Sequence, residues 1–318
     1  MTMSRTDSTL LRGPAIVQYD SQTLYTAGGI TVVTRPDLFP IPVDGFADAD
    51  ERIKQVVTEV TFTPSGAISA GILTVLYPHT QCNKGASGLP ATDKTLVIWP
   101  MNGKEKLTYT SAFVSKMPDM ILGATKAPFG SMTFTCIGAN NGAWSGATNL
   151  VANATAAFTD VSLSISAHKT GAYSAALGAL GAPWNGIITK DGWTISFDVG
   201  LQPDEVDDVG NFDWLYTGAA TIHAKCNPRG ISVANLHALM HLQDTGMVRG
   251  RSILDLKYDL VLTGPSGGIS ATLKNLTLQS APHQYKDLAH RIETLELVSV
   301  RNITTGAQDA LFSVGAVA

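Results

Sequence analysis

The sequence predicts a mainly β protein: two tandem β-sandwich or barrel-like domains, residues 1–145 and 146–318, with few helices and long extended arms. Three observations carry that expectation. Short β-branched and aromatic runs bounded by Gly, Pro and Asn recur along the chain, the pattern of strands separated by turns. The same order of elements is written twice, in KTLVIWPMNGKEKLTYTSAFVSKMPDMILGATKAPFGSMTFTCI (94–137) and KYDLVLTGPSGGISATLKNLTLQSAPHQYKDLAHRIETLELVSV (257–300). Each block reads as an apolar strand, a Gly-containing turn, a second strand, a Pro-containing break, a longer loop and a closing strand. A length of 318 residues also suits two domains of about 150 residues better than one.

In chain order, Ile30–Val33, Val56–Phe62, Ile72–Tyr77 and Leu96–Trp99 read as strands of the first copy. Residues Val57–Thr63 alternate apolar and polar, as a strand with one wet face does. Thr194–Leu201, Ala219–Cys226, Ile253–Leu262 and Ser270–Leu278 repeat the theme. In the last of these, Leu273, Leu276 and Leu278 depart from strict alternation and predict a bulge. Pro118 and Pro282 set the spacing of the copies at 282 − 118 = 164. Upstream, matching Pro64 to Pro203 and Pro78 to Pro228 gives 203 − 64 = 139 and 228 − 78 = 150, which implies longer connections in the second copy.

Ser232 is placed to cap a helix over 233–243, striped by Leu236, Leu239, Met240 and Leu242 and ended by Gly246. A shorter helix is predicted over 284–291, and none over Thr80–Asp93, where the first copy would need its counterpart. Two segments read as extended arms. Thr26–Lys54 carries Gly28-Gly29, Pro36, Pro40, Pro42 and the acidic run Asp44–Glu51, and its expected counterpart is Lys169–Gly192. Residues 139–157, rich in Asn, Gly, Ala and Ser, read as the linker between the copies.

Composition bounds the function. Only 15% of residues are charged against 44% hydrophobic, which leaves two readings open: a surface covered by other subunits, or a β-protein whose surface polarity comes from Thr, Ser and Asn. The net charge is −4, with no basic stripe of the kind that grips phosphates. The odd, widely spaced Cys82, Cys136 and Cys226 form neither a disulfide framework nor a zinc pattern, and suit synthesis in a reducing compartment. The first residues lack the apolar core of a secretion signal, and Ala172–Trp184 is too short and Gly-broken to span a bilayer.

Candidate chemistry is sparse. His237 and His241 share a helix face but lack a third ligand, and the spacing of His223 and Cys226 is generic. Asp204, Glu205, Asp207 and Asp208, with Asp213 beyond, lack calcium-loop spacing and read as a solvated turn, as do Asp44, Asp48, Asp50 and Glu51. The glycines around Ser266 lack the Lys-Ser/Thr of a phosphate loop and read as a hairpin turn. Trp99, Trp144, Trp184, Trp193 and Trp214 are scattered and read as packing residues. No catalytic, cofactor-binding or metal-ligating residue is assigned.

The Pro-rich early segment Ile30–Lys54, the pair Leu96–Thr110 with its Asn102-Gly103 turn, Met117-Pro118-Asp119 and Met132–Ile137 together resemble the tail tube (major tail) proteins of long-tailed bacteriophages. Tyr258–Leu278, Ala281-Pro282-His283 and Leu295–Val300 repeat the resemblance in the second copy. It implies a non-enzymatic virion protein made in the host cytoplasm, each copy a β-sandwich with a flanking helix. Two fused copies would close as a trimer with pseudo-sixfold symmetry, stacked head-to-tail and joined to other tail proteins. DNA would pass the lumen without specific binding, no membrane or cofactor would be involved, and the early arm would reach a neighbouring subunit or ring. The alternatives are a capsid-decorating protein or tail-tip adaptor, a carbohydrate-binding β-sandwich using Trp144, Trp184 and Trp193, and last a hydrolase on a β-scaffold.

Overall fold

The computed structural model describes residues 15–41, 50–66, 68–78, 89–90, 94–99, 107–123, 127–137, 174–177, 184, 186–205, 212–232, 234–236, 258–286, 289–299 and 312–317. The first half contributes β1 (Ile16–Tyr19), β2 (Gln22–Ile41), β3 (Asp50–Ser65), helix α1 (Ala70–Leu76), β4 (Leu89–Pro90), β5 (Lys94–Trp99), β6 (Leu107–Lys116), β7 (Met120–Leu122) and β8 (Met132–Ile137). The second contributes β9 (Ser174–Leu177), β10 (Ile188–Glu205), β11 (Phe212–Arg229), β12 (Tyr258–Thr263), β13 (Ile269–Ser280), β14 (His283–Lys286), β15 (Ala289–Ile292), β16 (Leu295–Ser299) and β17 (Phe312–Ala316).

These strands build two curled antiparallel sheets. The first is a closed barrel in the order β1-β2-β3-β8-β6-β5. Alternation drives it: Val17, Tyr19, Leu24, Val60, Phe62, Leu96, Ile98 and Phe134 all face inward and are at most 5% exposed. Each such side chain contributes about 1.5–3 kcal/mol of burial. The Tyr19 ring packs on Phe134 at 4.7 Å, and its hydroxyl donates to the Ala112 carbonyl across the barrel. The second sheet runs β7-β10-β11-β16-β13-β12-β9, with β17 on β13 and β4 on β11. A separate hairpin pairs β14 with β15.

The duplication is written in the register, at one nearly constant spacing. Lys94 pairs with Ala112 and Leu96 with Tyr109, and 164 residues later Tyr258 pairs with Leu276 and Leu260 with Leu273 (258 − 94 = 164). Both pairs therefore carry the same bulge. In the second copy it sits at Asn275, whose φ of 55° is left-handed and whose N–H donates to Asp259 at 3.1 Å. The bulge anticipated from the spacing of Leu273 and Leu276 is this one, and it turns both leucines inward to full burial.

The same spacing holds upstream, so the increasing offsets expected there are corrected. Pro64 corresponds to Pro228, not Pro203, since 228 − 64 = 164 and each lies in the second strand of a long hairpin. Matching prolines by sequence alone paired residues with different places in the fold. Of the first arm, residues 26–41 and 50–54 lie in the β2–β3 hairpin, whose counterpart is β10–β11 rather than Lys169–Gly192.

Two further expectations change. Ile72–Tyr77, read as a strand, belongs to α1: Ser69 Oγ accepts the Ile72 N–H at 3.2 Å and Leu73 closes the first turn. A serine cap outweighs the β-branched run because Leu73, Val75 and Leu76 bury their side chains from the helix. The second copy begins its helix identically, with Ser232 Oγ accepting from Asn235 and Leu236 N–H donating to the Ser232 carbonyl (236 − 73 = 163). The helix missing from the first copy is therefore α1; residues 237–243 lie outside the described residues. The helix expected over 284–291 is instead the β14–β15 hairpin, closed at its base by Glu293 N–H donating to the Pro282 carbonyl.

The core is continuous through both halves. Tyr77, at the end of α1, is its hub: the ring lies 5.3 Å from Phe197 on β10, 6.4 Å from Phe129 and 6.3 Å from Phe312 on β17. The domain boundary near 145/146 and the linker at 139–157 fall outside the described residues.

Candidate assembly site

The most specific contact between the halves is a strand exchange. β7, from the first copy, adds antiparallel to β10 of the second, pairing Met120 with Ile195, Ile121 with Thr194 and Leu122 with Trp193. Met120, Leu122, Trp193 and Ile195 are all at most 1% exposed. The strands approach so closely because of Gly192: its φ is +83°, and an added Cβ would stand 2.3 Å from the Leu122 carbonyl oxygen. The bulge between Thr189 and Trp193 re-aims the tryptophan into the core. A glycine inside a strand signals such a close approach, and it is the one trace this junction leaves in the sequence.

Each long hairpin outruns the sheet that supports it. β3 pairs with β8 over Val57–Phe62, whereas β2 and β3 stay paired out to Ile41 opposite Asp50. At about 3.4 Å per residue, the remainder is, among the described residues, a two-stranded ribbon about 20 Å long. β11 pairs with β16 over His223–Cys226, and the β10–β11 ribbon continues to Glu205 opposite Phe212, touched by β4 at Leu215 and Tyr216. An isolated two-stranded ribbon is marginal in water.

Paired polar and ionic groups lie on the outer faces of the two sheets. In the first, the Thr61 and Thr133 hydroxyls meet at 3.0 Å. At the corresponding positions of the second (225 − 61 = 164; 296 − 133 = 163), Lys225 Nζ donates to Glu296 at 2.9 Å. His223 Nδ1 lies 3.5 Å from the same carboxylate. The Lys225 hydrogen bond, aided by its charge and by His223, outweighs partial burial and holds the Glu296 carboxyl below its ordinary range. Two surface hollows complete the picture. One, about 320 Å³, contains the Asp20–Lys94 pair at 3.5 Å, and the other, about 260 Å³, contains Arg35–Glu59 at 3.8 Å. Both hollows are lined by one acid and one base that offset each other.

The remaining residues singled out by sequence sort as follows. Trp184 and Trp193 are 2% and 1% exposed, so they pack the core and do not form an exposed aromatic platform. Cys136 and Cys226 are buried free thiols, and burial pushes the Cys136 thiol up to about 12. The turn around Ser266 is the β12–β13 hairpin, with Gly268 N–H donating to the Pro265 carbonyl. Among the described residues, no group of three or more His, Cys, Asp or Glu is placed to hold a metal. Among them, no helix is long and apolar enough to cross a membrane. His237, His241, Cys82, Trp144, Asp44, Asp48, Asp207 and Asp208 lie outside the described residues.

Comparison with known proteins adds no identity: no protein-family model matches the chain, and no curated protein matches it.

Proposed function

We propose that this chain is a structural protein that assembles with copies of itself, as a subunit of the hollow tail tube of a long-tailed bacteriophage. The observation that carries this reading is the pairing of two equivalent β units in one chain, each with a hairpin ribbon that outruns the sheet supporting it. Heterologous contacts between such units close into rings and repeat along an axis. Three subunits would supply six β units, and stacked rings would enclose a lumen through which DNA passes.

The surface chemistry supports a conduit rather than a grip. Threonine pairs and internally balanced ion pairs on the sheet faces, with a net charge of −4, offer phosphates nothing to bind. A chain of this kind would work in the virion, among other tail proteins, and would do no chemistry. Burial of Trp184 and Trp193 takes away the aromatic row that favoured a carbohydrate-binding module.

Negative-stain electron microscopy of the purified protein tests the reading. Rings or tubes with a central channel are expected. A strictly monomeric species at high concentration, by light scattering, would overturn it.

A further inference from the structure

The strand exchange between the halves occurs once, although the duplication supplies its parts twice. On β10, Trp193, Thr194 and Ile195 accept β7. Their partners on β11 are Cys226, Lys225 and Ala224, which stand 164 residues after Phe62, Thr61 and Val60 on β3 (226 − 62 = 164). Those pair in turn with Ile30, Thr31 and Val32, so the equivalent acceptor is the outer edge of β2. The equivalent donor is β14. Met120 bridges Phe129 as His283 pairs with Ile292 (292 − 129 = 163). Gly130 N–H donates to the Asp119 carbonyl at 2.7 Å as Glu293 N–H donates to the Pro282 carbonyl at 2.9 Å (293 − 130 = 163).

Donor and acceptor are joined in the first instance and apart in the second. β1 pairs with β2 only over Gln22–Tyr25, and among the described residues no strand pairs with the outer edge beyond that point. We infer that β14 of one molecule adds antiparallel to the outer edge of β2 in a second copy of this chain, setting Tyr285 opposite Ile30, Gln284 opposite Thr31 and His283 opposite Val32.

Two independent observations support the pairing. The first is exposure: Ile195 and Leu122 are fully buried at the joined site, whereas their counterparts Val32 and Tyr285 are 36% and 73% exposed. Val32 shares its face with the fully buried Val60, so an inward-facing side chain is left uncovered at the sheet edge. The second is glycine. Gly192, jammed against the Leu122 carbonyl, corresponds in this register to Gly29 (192 − 29 = 163), whose φ of +99° is likewise left-handed. The acceptor edge keeps a left-handed glycine at the place where the joined site uses Gly192 for its close approach. Such a contact is heterologous: every molecule gives one strand and takes one, which closes a ring without capping it. The inference rests on the self-assembly proposed above, though not on a tube or on DNA.

Disulfide trapping in trans tests it. Directly opposed antiparallel residues lie within disulfide reach. In a Cys82→Ser background, Thr31→Cys and Gln284→Cys are made as separate single variants, mixed and oxidised. The expected result is a reducible dimer in the mixture and in neither variant alone, and a ladder of oligomers from the double variant. Wild-type oligomers without a mixed crosslink would overturn this pairing while leaving self-assembly intact; a wild type that stays monomeric would sink both. As a second arm, Val32→Lys puts a charge on the exposed edge, and folding is verified by circular dichroism. Folded but unassembled protein is expected, and oligomers that persist in Val32→Lys would overturn the pairing.

Discussion

Tyr77 shows how a single side chain ties two β units together. Its ring touches aromatic residues from both halves, and its hydroxyl is buried among the described groups with no hydrogen-bond partner. Burial, with a smaller contribution from Asp119, drives its pKa well above the usual tyrosine range. Removing an unsatisfied hydroxyl while keeping the ring should cost nothing, so Tyr77→Phe is expected to hold or raise stability by about 1 kcal/mol. Tyr77→Ala opens a cavity and should cost about 3–5 kcal/mol, read from denaturant unfolding. A Phe variant as damaged as the Ala variant would show that the hydroxyl has a role.

Glu296 gives a second test at this scale. Its folded pKa is depressed, so its contribution is present above the unfolded value and is lost as pH falls through the folded one. Lys225 is about half exposed, which limits the effect to about 0.5 kcal/mol. The melting-temperature difference between wild type and Glu296→Gln should therefore vanish toward acid, below the ordinary glutamate pKa of 4.5. A difference that grows on acidification would refute the assignment.

At the scale of elements, the hairpin ribbons matter most. Deleting Pro36–Asp50 removes the far end of β2–β3, beyond the segment that pairs with β8, so the barrel should still fold. The expected product has a wild-type β circular dichroism spectrum and no rings or tubes. Unchanged assembly would show that the ribbon is not an interface. Strands that alternate or are β-branched were legible in sequence: Met132–Ile137 and Leu96–Trp99 fall where expected, because one buried face imposes a period of two. α1 was not, because Ile72–Tyr77 has strand-like composition and only Ser69 and its packing against the core decide for helix. His283–Ile292 failed in the opposite direction: a short apolar-poor segment takes its conformation from the bond between Glu293 and Pro282 at its base.

For the whole molecule, one fact governs what assembly can look like. The halves are equivalent in scaffold and unequal in contacts: the first closes its barrel with β1, while the second takes β7 on the same edge. Rings seen by microscopy should therefore show pseudo-symmetry, with twice as many lobes as subunits. Lobes equal in number to subunits would contradict equivalent use of the two units.

By itself the sequence determined the β class, the duplication and the absence of a basic phosphate-gripping stripe, because these rest on local periodicity, on repeated order and on counting charges. Tertiary structure alone decided the true spacing of 163–164 throughout, the pairing of the long hairpins and the transfer of β7 to β10. The last depends on which edges meet across more than 70 residues of chain (193 − 122 = 71), a choice set by shared burial and by one glycine, with no local pattern to record it.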